Sequence, residues 1–104
     1  MKKLIVFAIA ASFGASAVLA ATVPAHFAGA NLLPMAKVTL AQARTTALAA
    51  RPGLITDQEL EKERGGTGLR YSFDIKNKGK TFEVGVDART GKVLENDAEG
   101  ANPD

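Results

Sequence analysis

The residues that could support catalysis or bind a metal ion are few in this sequence. The chain has one histidine, His26, and no cysteine. A zinc site needs several histidine or cysteine ligands, and a nucleophilic site needs a base held beside its nucleophile. The zinc-enzyme pattern His-Glu-x-x-His is also absent. We therefore predict a protein that is not an enzyme, with no metal or cofactor and with His26 playing no part in chemistry.

The turn from Asp87 to Gly91 resembles an oxygen-rich calcium loop at first sight. Calcium takes about six or more oxygen ligands, whereas this turn has one carboxylate, with Arg89 in its middle. Hydrogen bonds from the Asp87 and Thr90 side chains to the local backbone, with Gly91 at positive φ, account for the same pattern. The sequence therefore predicts a structural turn.

The first twenty residues have the pattern of a secretory signal peptide. Lys2 and Lys3 precede the apolar run 4–11, and Val18-Leu19-Ala20 provides a cleavage site. This run is too short for a membrane span, although an uncleaved anchor is the alternative. Cleavage would leave equal numbers of basic and acidic residues, which gives no support for binding to nucleic acid or anionic lipid. We expect a periplasmic or secreted protein with no stable membrane insertion after cleavage.

A helix and several strands are predicted after a linker at residues 21–36. Thr39 and Gln42 form a capping-box pattern, Leu40, Ala43, Ala47 and Ala50 share one helical face, and Pro52-Gly53 predicts the helix end near Ala50. The charged stretch 56–64 fits an edge strand better than a helix, because a helix there would bury only Leu60. Alternating apolar residues predict strands at 69–76 and 81–87, and a short strand follows at 92–95. The fold class is α+β, one helix on a small antiparallel sheet in the order α-β-β-β-β, with a mixed-charge outer face.

The register of the central hairpin can be argued from its apolar faces, which place Phe73 and Phe82 in the core. Pairing Phe73 with Val84 leaves a two-residue loop, with Lys78 at positive φ and two carboxylates opposite each other. Pairing Phe73 with Phe82 leaves a four-residue loop and avoids both penalties. We therefore predict the second register.

Residues 37–96 resemble a PepSY domain. The resemblance rests on features in the family's order: Val38-Thr39-Leu40, the Ala43/Ala47 pair, Pro52-Gly53, Gly65-Gly66, Tyr71, and the ending Asp87-Ala88-Arg89-Thr90-Gly91-Lys92-Val93-Leu94. PepSY units occur in propeptides of thermolysin-like metallopeptidases and in small standalone exported proteins. The resemblance implies a non-enzymatic domain that binds and modulates, and by expectation inhibits, a secreted or periplasmic peptidase. Two alternatives are an envelope sensory or adaptor module, which binds a signalling protein or small ligand, and a purely structural envelope protein.

Candidate partner-binding residues are polar positions on the outer face and in the acidic C-terminal stretch. A glycine inside a strand either marks a bulge or lets another backbone approach. Residues 97–104 are expected to be a disordered acidic tail, although such a tail could instead enter the cleft of a metallopeptidase, where a cation would attract it. The predicted partner-binding residues are Arg70, Glu83, Gly85, Glu95, Asp97 and Glu99.

Overall fold

The computed structural model describes residues 27–100, in which one helix packs on one sheet. Helix α1 (Leu40–Ala50) begins at the predicted capping box. The Gln42 amide donates to the Thr39 hydroxyl at 3.0 Å, and the Thr39 amide donates to the Gln42 side chain at 2.9 Å. The predicted signal peptide and the first part of the linker lie outside the described residues. No helix within residues 27–100 has the length and apolar character needed to cross a membrane.

Four antiparallel strands follow the helix and pair in sequence order. They are β1 (Leu54–Lys62), β2 (Leu69–Asn77), β3 (Lys80–Asp87) and β4 (Val93–Ala98). The predicted α+β class and the order α-β-β-β-β are confirmed. The charged stretch 56–64 is also confirmed as an edge strand, since β1 pairs only with β2 among these four strands.

The second half of the predicted linker has structure of its own. A 3-10 helix (Ala30–Met35) precedes α1, and Leu32 packs against the core. Ala28 lies parallel to Glu59 on the outer edge of β1, where its carbonyl accepts a hydrogen bond from the Leu60 amide at 2.9 Å. The linker therefore covers part of the exposed sheet edge, a common protection for edge strands.

The hydrophobic core lies between α1 and one face of the sheet. Small Ala43 and Ala47 let the helix backbone come close to β2, whose Tyr71 and Phe73 are fully buried and stacked, with ring centroids 6.3 Å apart. The Tyr71 hydroxyl donates to the Val38 carbonyl at 2.6 Å, so a core ring also fixes the segment before the helix. The other buried apolar residues are Leu40, Leu60, Leu69, Ile75, Val84, Val86 and Ala88.

The predicted hairpin register is wrong. Phe73 pairs with Val84, and the loop consists of Lys78 and Gly79, both at positive φ, as a type I′ turn requires. This turn has the twist that suits two paired strands, so it extends the ladder to the end of both strands. The free energy gained from the longer ladder and from the burial of Phe73 and Val84 offsets the strain at Lys78 and the repulsion between Asp74 and Glu83.

The last strand is longer than predicted. β4 runs to Ala98 rather than ending at Glu95, and Asp97 pairs with Glu83 of β3. On the core side, the Asn96 amide group donates to the Ala50 carbonyl at 3.3 Å, which attaches β4 to the end of α1. Part of the stretch that looked like a tail in sequence is thus the fourth strand.

Candidate functional site

The predicted partner-binding residues come together on one surface. Because side chains of paired residues point to the same side of a sheet, the register assigns each polar position to a face. We call the side of the sheet away from α1 the open sheet face. The positions that define it are Asp57, Glu59 and Glu61 on β1, Arg70, Ser72, Asp74 and Lys76 on β2, Thr81, Glu83 and Gly85 on β3, and Glu95 and Asp97 on β4, with Glu99 beyond.

Arg70 and Gly85 form the centre of the open sheet face. A Cβ atom at Gly85 would lie 3.0 Å from Nη1 of Arg70, so the absent side chain leaves room for the arginine to cross β3. Arg70 reaches Glu95 on β4 with an Nη1–Oε1 distance of 3.2 Å, and its Nη2 donates to the Arg64 carbonyl at 3.1 Å. The register shift between β3 and β4 also falls at Gly85. Gly85 is therefore buried beneath Arg70, and its backbone is not the outermost surface.

The open sheet face is acidic rather than mixed in charge, which corrects the sequence expectation. All four strands contribute carboxylates, whereas its basic residues among those described are Arg70, which is paired with Glu95, and Lys76. The bases of the helical layer, including Lys37, Arg44 and Arg51, lie on the other side of the molecule. The near-neutral composition thus hides a strong separation of charge.

Three carboxylates on this face are close neighbours. Oxygens of Asp74, Glu83 and Glu99 lie within 4.8 Å of one another, and they form the one such group of potential metal ligands within residues 27–100. Partial burial, followed by the charges of Glu95, Asp74, Glu99 and Glu61, raises the pKa of Glu83 to about 7. Burial, followed by the charges of Glu99 and Asp57, also raises the pKa of Asp74. Asp74 was not among the predicted partner-binding residues, although its place on the polar side of an alternating strand was a usable signal.

The turn after β3 is a structural element. The buried Asp87 carboxylate accepts hydrogen bonds from the amides of Thr67, Arg89 and Thr90 at 2.7–3.0 Å, and from the Thr67 hydroxyl at 2.9 Å. Burial alone would raise the pKa of Asp87, but these donors outweigh burial and hold it well below its usual range. Gly91 has φ 82°, as predicted. The Asp87 side chain thus links the loop before β2 to the loop after β3, and its oxygens accept hydrogen bonds from within the protein.

Comparison with known proteins identifies a family but no individual relative. The model of the PepSY family, described as the peptidase propeptide and YPEB domain, matches residues 37–97. This match begins just before α1 and ends in β4, so it covers both the helix and the open sheet face. No curated protein and no solved structure gives a significant match.

Proposed function

The chain belongs to the PepSY family, and on that basis we propose that it binds an exported peptidase and modulates its activity, with inhibition as the expected effect. PepSY domains are generally non-catalytic modules of the propeptide or inhibitor type, and they typically occur in exported proteins. The observation that carries the proposal is the extent of the match. It covers residues 37–97, which is nearly all of the described fold.

The composition supports a binding role. His26 is the only histidine and cysteine is absent, so the chain lacks the usual partners of a nucleophilic or zinc-dependent mechanism. The open sheet face carries the predicted partner-binding residues of β2, β3 and β4, and Glu99 lies beside it. We therefore assign the docking of the peptidase to this face.

The test is a peptide-cleavage assay with thermolysin-like metallopeptidases exported by the same cell. Residues 21–104 contain the whole described fold, and increasing concentrations of this chain should slow at least one of these enzymes. The chain itself should remain intact on the same timescale. A Glu83→Lys variant, which reverses one charge on the open sheet face, should inhibit less well. A Thr45→Glu variant, altered on the exposed side of α1, provides the control for a charge change elsewhere.

No change in any cleavage rate at concentrations well above micromolar would contradict the proposal. In that case, copurification with a membrane receptor would favour the sensory or adaptor alternative. If inhibition occurs but Glu83→Lys and Thr45→Glu behave alike, the peptidase role stands and the assignment of the docking face is wrong.

A further inference from the structure

The open sheet face is an unpartnered surface on which acidic residues outnumber basic ones. Helix α1 covers one side of the sheet, and within residues 27–100 no element packs across the other. Carboxylates project there from all four strands, and Asp57, Asp97 and Glu99 are exposed to solvent. A near-neutral chain could place its basic residues among these acidic ones, but in this fold most of the basic residues lie away from the open sheet face. A cationic partner would therefore match this face.

The carboxylates repel one another in the free protein. Asp74 and Glu83 are directly opposite across β2 and β3, and Asp97 is opposite Glu83 across β3 and β4. Like charges at facing positions destabilise a sheet. Partial burial, followed by the charges of neighbouring carboxylates, raises the pKa values of both Glu83 and Asp74. Positive charge brought in by a partner would relieve this repulsion, which adds to the direct attraction.

Arg70, at the centre of this face, gives independent support for a polypeptide ligand. Its side chain is more than nine-tenths buried, and its Nε–H has no hydrogen-bond acceptor among the described residues. A buried donor without an acceptor is unfavourable, because it has lost its hydrogen bond to water. Because this Nε has no exposed surface, the guanidinium must turn toward the solvent before a backbone carbonyl of a chain crossing the face can accept from it. A bare metal ion accepts no hydrogen bond.

We propose that the open sheet face binds a lysine- or arginine-rich polypeptide segment of the partner. Cationic side chains of that segment lie over the carboxylates of β3 and β4, and its backbone crosses Arg70. This inference deepens the proposed function and rests on it for the choice of face. Its test measures binding alone, so it succeeds or fails independently of any effect on proteolysis.

The experiment measures the binding of a fluorescent octalysine peptide to residues 21–104 by anisotropy at low and physiological salt. We expect saturable binding that weakens with salt, because exposed charges are screened. An octaglutamate peptide should not bind. Spermine, which carries positive charge but no carbonyl group, should compete weakly.

Matched variants separate a specific face from a general charge effect. Asp97→Asn with Glu99→Gln raises the net charge by two on the open sheet face and should weaken octalysine binding about fivefold or more. Thr45→Lys with Ala49→Lys raises it by two on the exposed side of α1 and should leave binding within about twofold. Circular dichroism confirms that both variants are folded. Equal weakening in both variants, no binding by the unmodified chain, or displacement of the peptide by micromolar Ca²⁺ would each overturn the proposal.

Discussion

Asp74 and Glu83 face each other across β2 and β3, with carboxylate oxygens within 4.8 Å. The register that buries Phe73 against Val84 on the core side imposes this pair on the open side, because adjacent residues of a strand alternate between faces. The sheet thus combines a favourable core with an unfavourable surface pair. Burial of Glu83, together with the charges of its acidic neighbours, makes stability depend on pH.

Stability should fall as the pH rises from about 5 to 8. The pKa of Glu83 increases from its usual value near 4.5 to about 7 on folding, so in this interval the folded chain retains a proton that the unfolded chain has lost. Ionisation in the folded state then sets Glu83 against Glu61, Asp74, Glu95, Asp97 and Glu99. The Asp87 carboxylate is ionised throughout this interval and contributes no slope. Thermal melts across the interval measure the effect.

Replacement of Glu83 isolates this effect. Glu83→Gln should raise the melting temperature most at pH 8 and little at pH 5, which flattens the pH profile. The residual slope reports Asp74, whose pKa shifts in the same direction. A profile for Glu83→Gln parallel to that of the unmodified chain would show that the Glu83 proton does not contribute.

Asp87→Asn should destabilise the domain by about 2–3 kcal/mol, although it changes the shape of the side chain little. One acceptor oxygen becomes an amide group that points at N–H donors, and the backbone amides of Thr67, Arg89 and Thr90 lose a charged acceptor. Urea denaturation measures the change. Asp97→Asn makes the same chemical change at an exposed site and should stay within about 0.5 kcal/mol. Similar effects of the two variants would argue against the role of Asp87 as the link between the loops.

Phe73→Ala and Phe82→Ala should differ, although both rings lie on the core side of the central hairpin. Phe73 is fully buried, so its truncation should cost about 3–5 kcal/mol and leave little folded protein. Phe82 is only half-buried, with the Arg51 guanidinium 3.9 Å from its ring centroid, so its truncation should cost about 1–2 kcal/mol. Circular dichroism melts compare them. Equal losses would place Phe82 in the core.

Lys78→Asn should stabilise the protein by about 0.5–1 kcal/mol. Lys78 has φ 53°, a conformation that lysine adopts with strain, and the change creates the Asn-Gly pair that type I′ turns favour. Lys80→Asn removes the same charge two residues later, inside β3, where asparagine is a poor strand former. Urea midpoints should therefore move in opposite directions. A higher urea midpoint in both variants would indicate relief of charge repulsion rather than of backbone strain.

Local patterns predicted most elements of the fold. The capping box at Thr39 and the alanine face of α1 are properties of contiguous residues, and so is the alternation in β2 and β3. Register was harder, because it depends on the free-energy balance between turn, core and surface pairs. The strain at Lys78 and the Asp74–Glu83 pair had too much weight in the predicted register, whereas the fold contains both.

The candidate site was partly predictable for a related reason. Alternation assigned Arg70, Glu83 and Gly85 to the polar face, but only the register brings β1 and β4 alongside them. The predominance of acid on that face and the crossing of Gly85 by Arg70 depend on contacts between residues distant in sequence. Local sequence patterns do not predict those contacts.

The strand order β1-β2-β3-β4 also bears on how quickly the domain reaches its native state. Each strand pairs with the next one along the chain, so three short loop closures build the sheet, whereas the longest-range attachments, such as Val38 to Ala88, join the segment before the helix to the loop after β3. Chains with mainly local pairing fold faster than those with distant pairing, in milliseconds or less for small helical examples and somewhat slower for mixed folds. An unfolded chain would therefore pair its strands with one another, and so cover their backbone N–H and C=O groups, before another chain could pair with them.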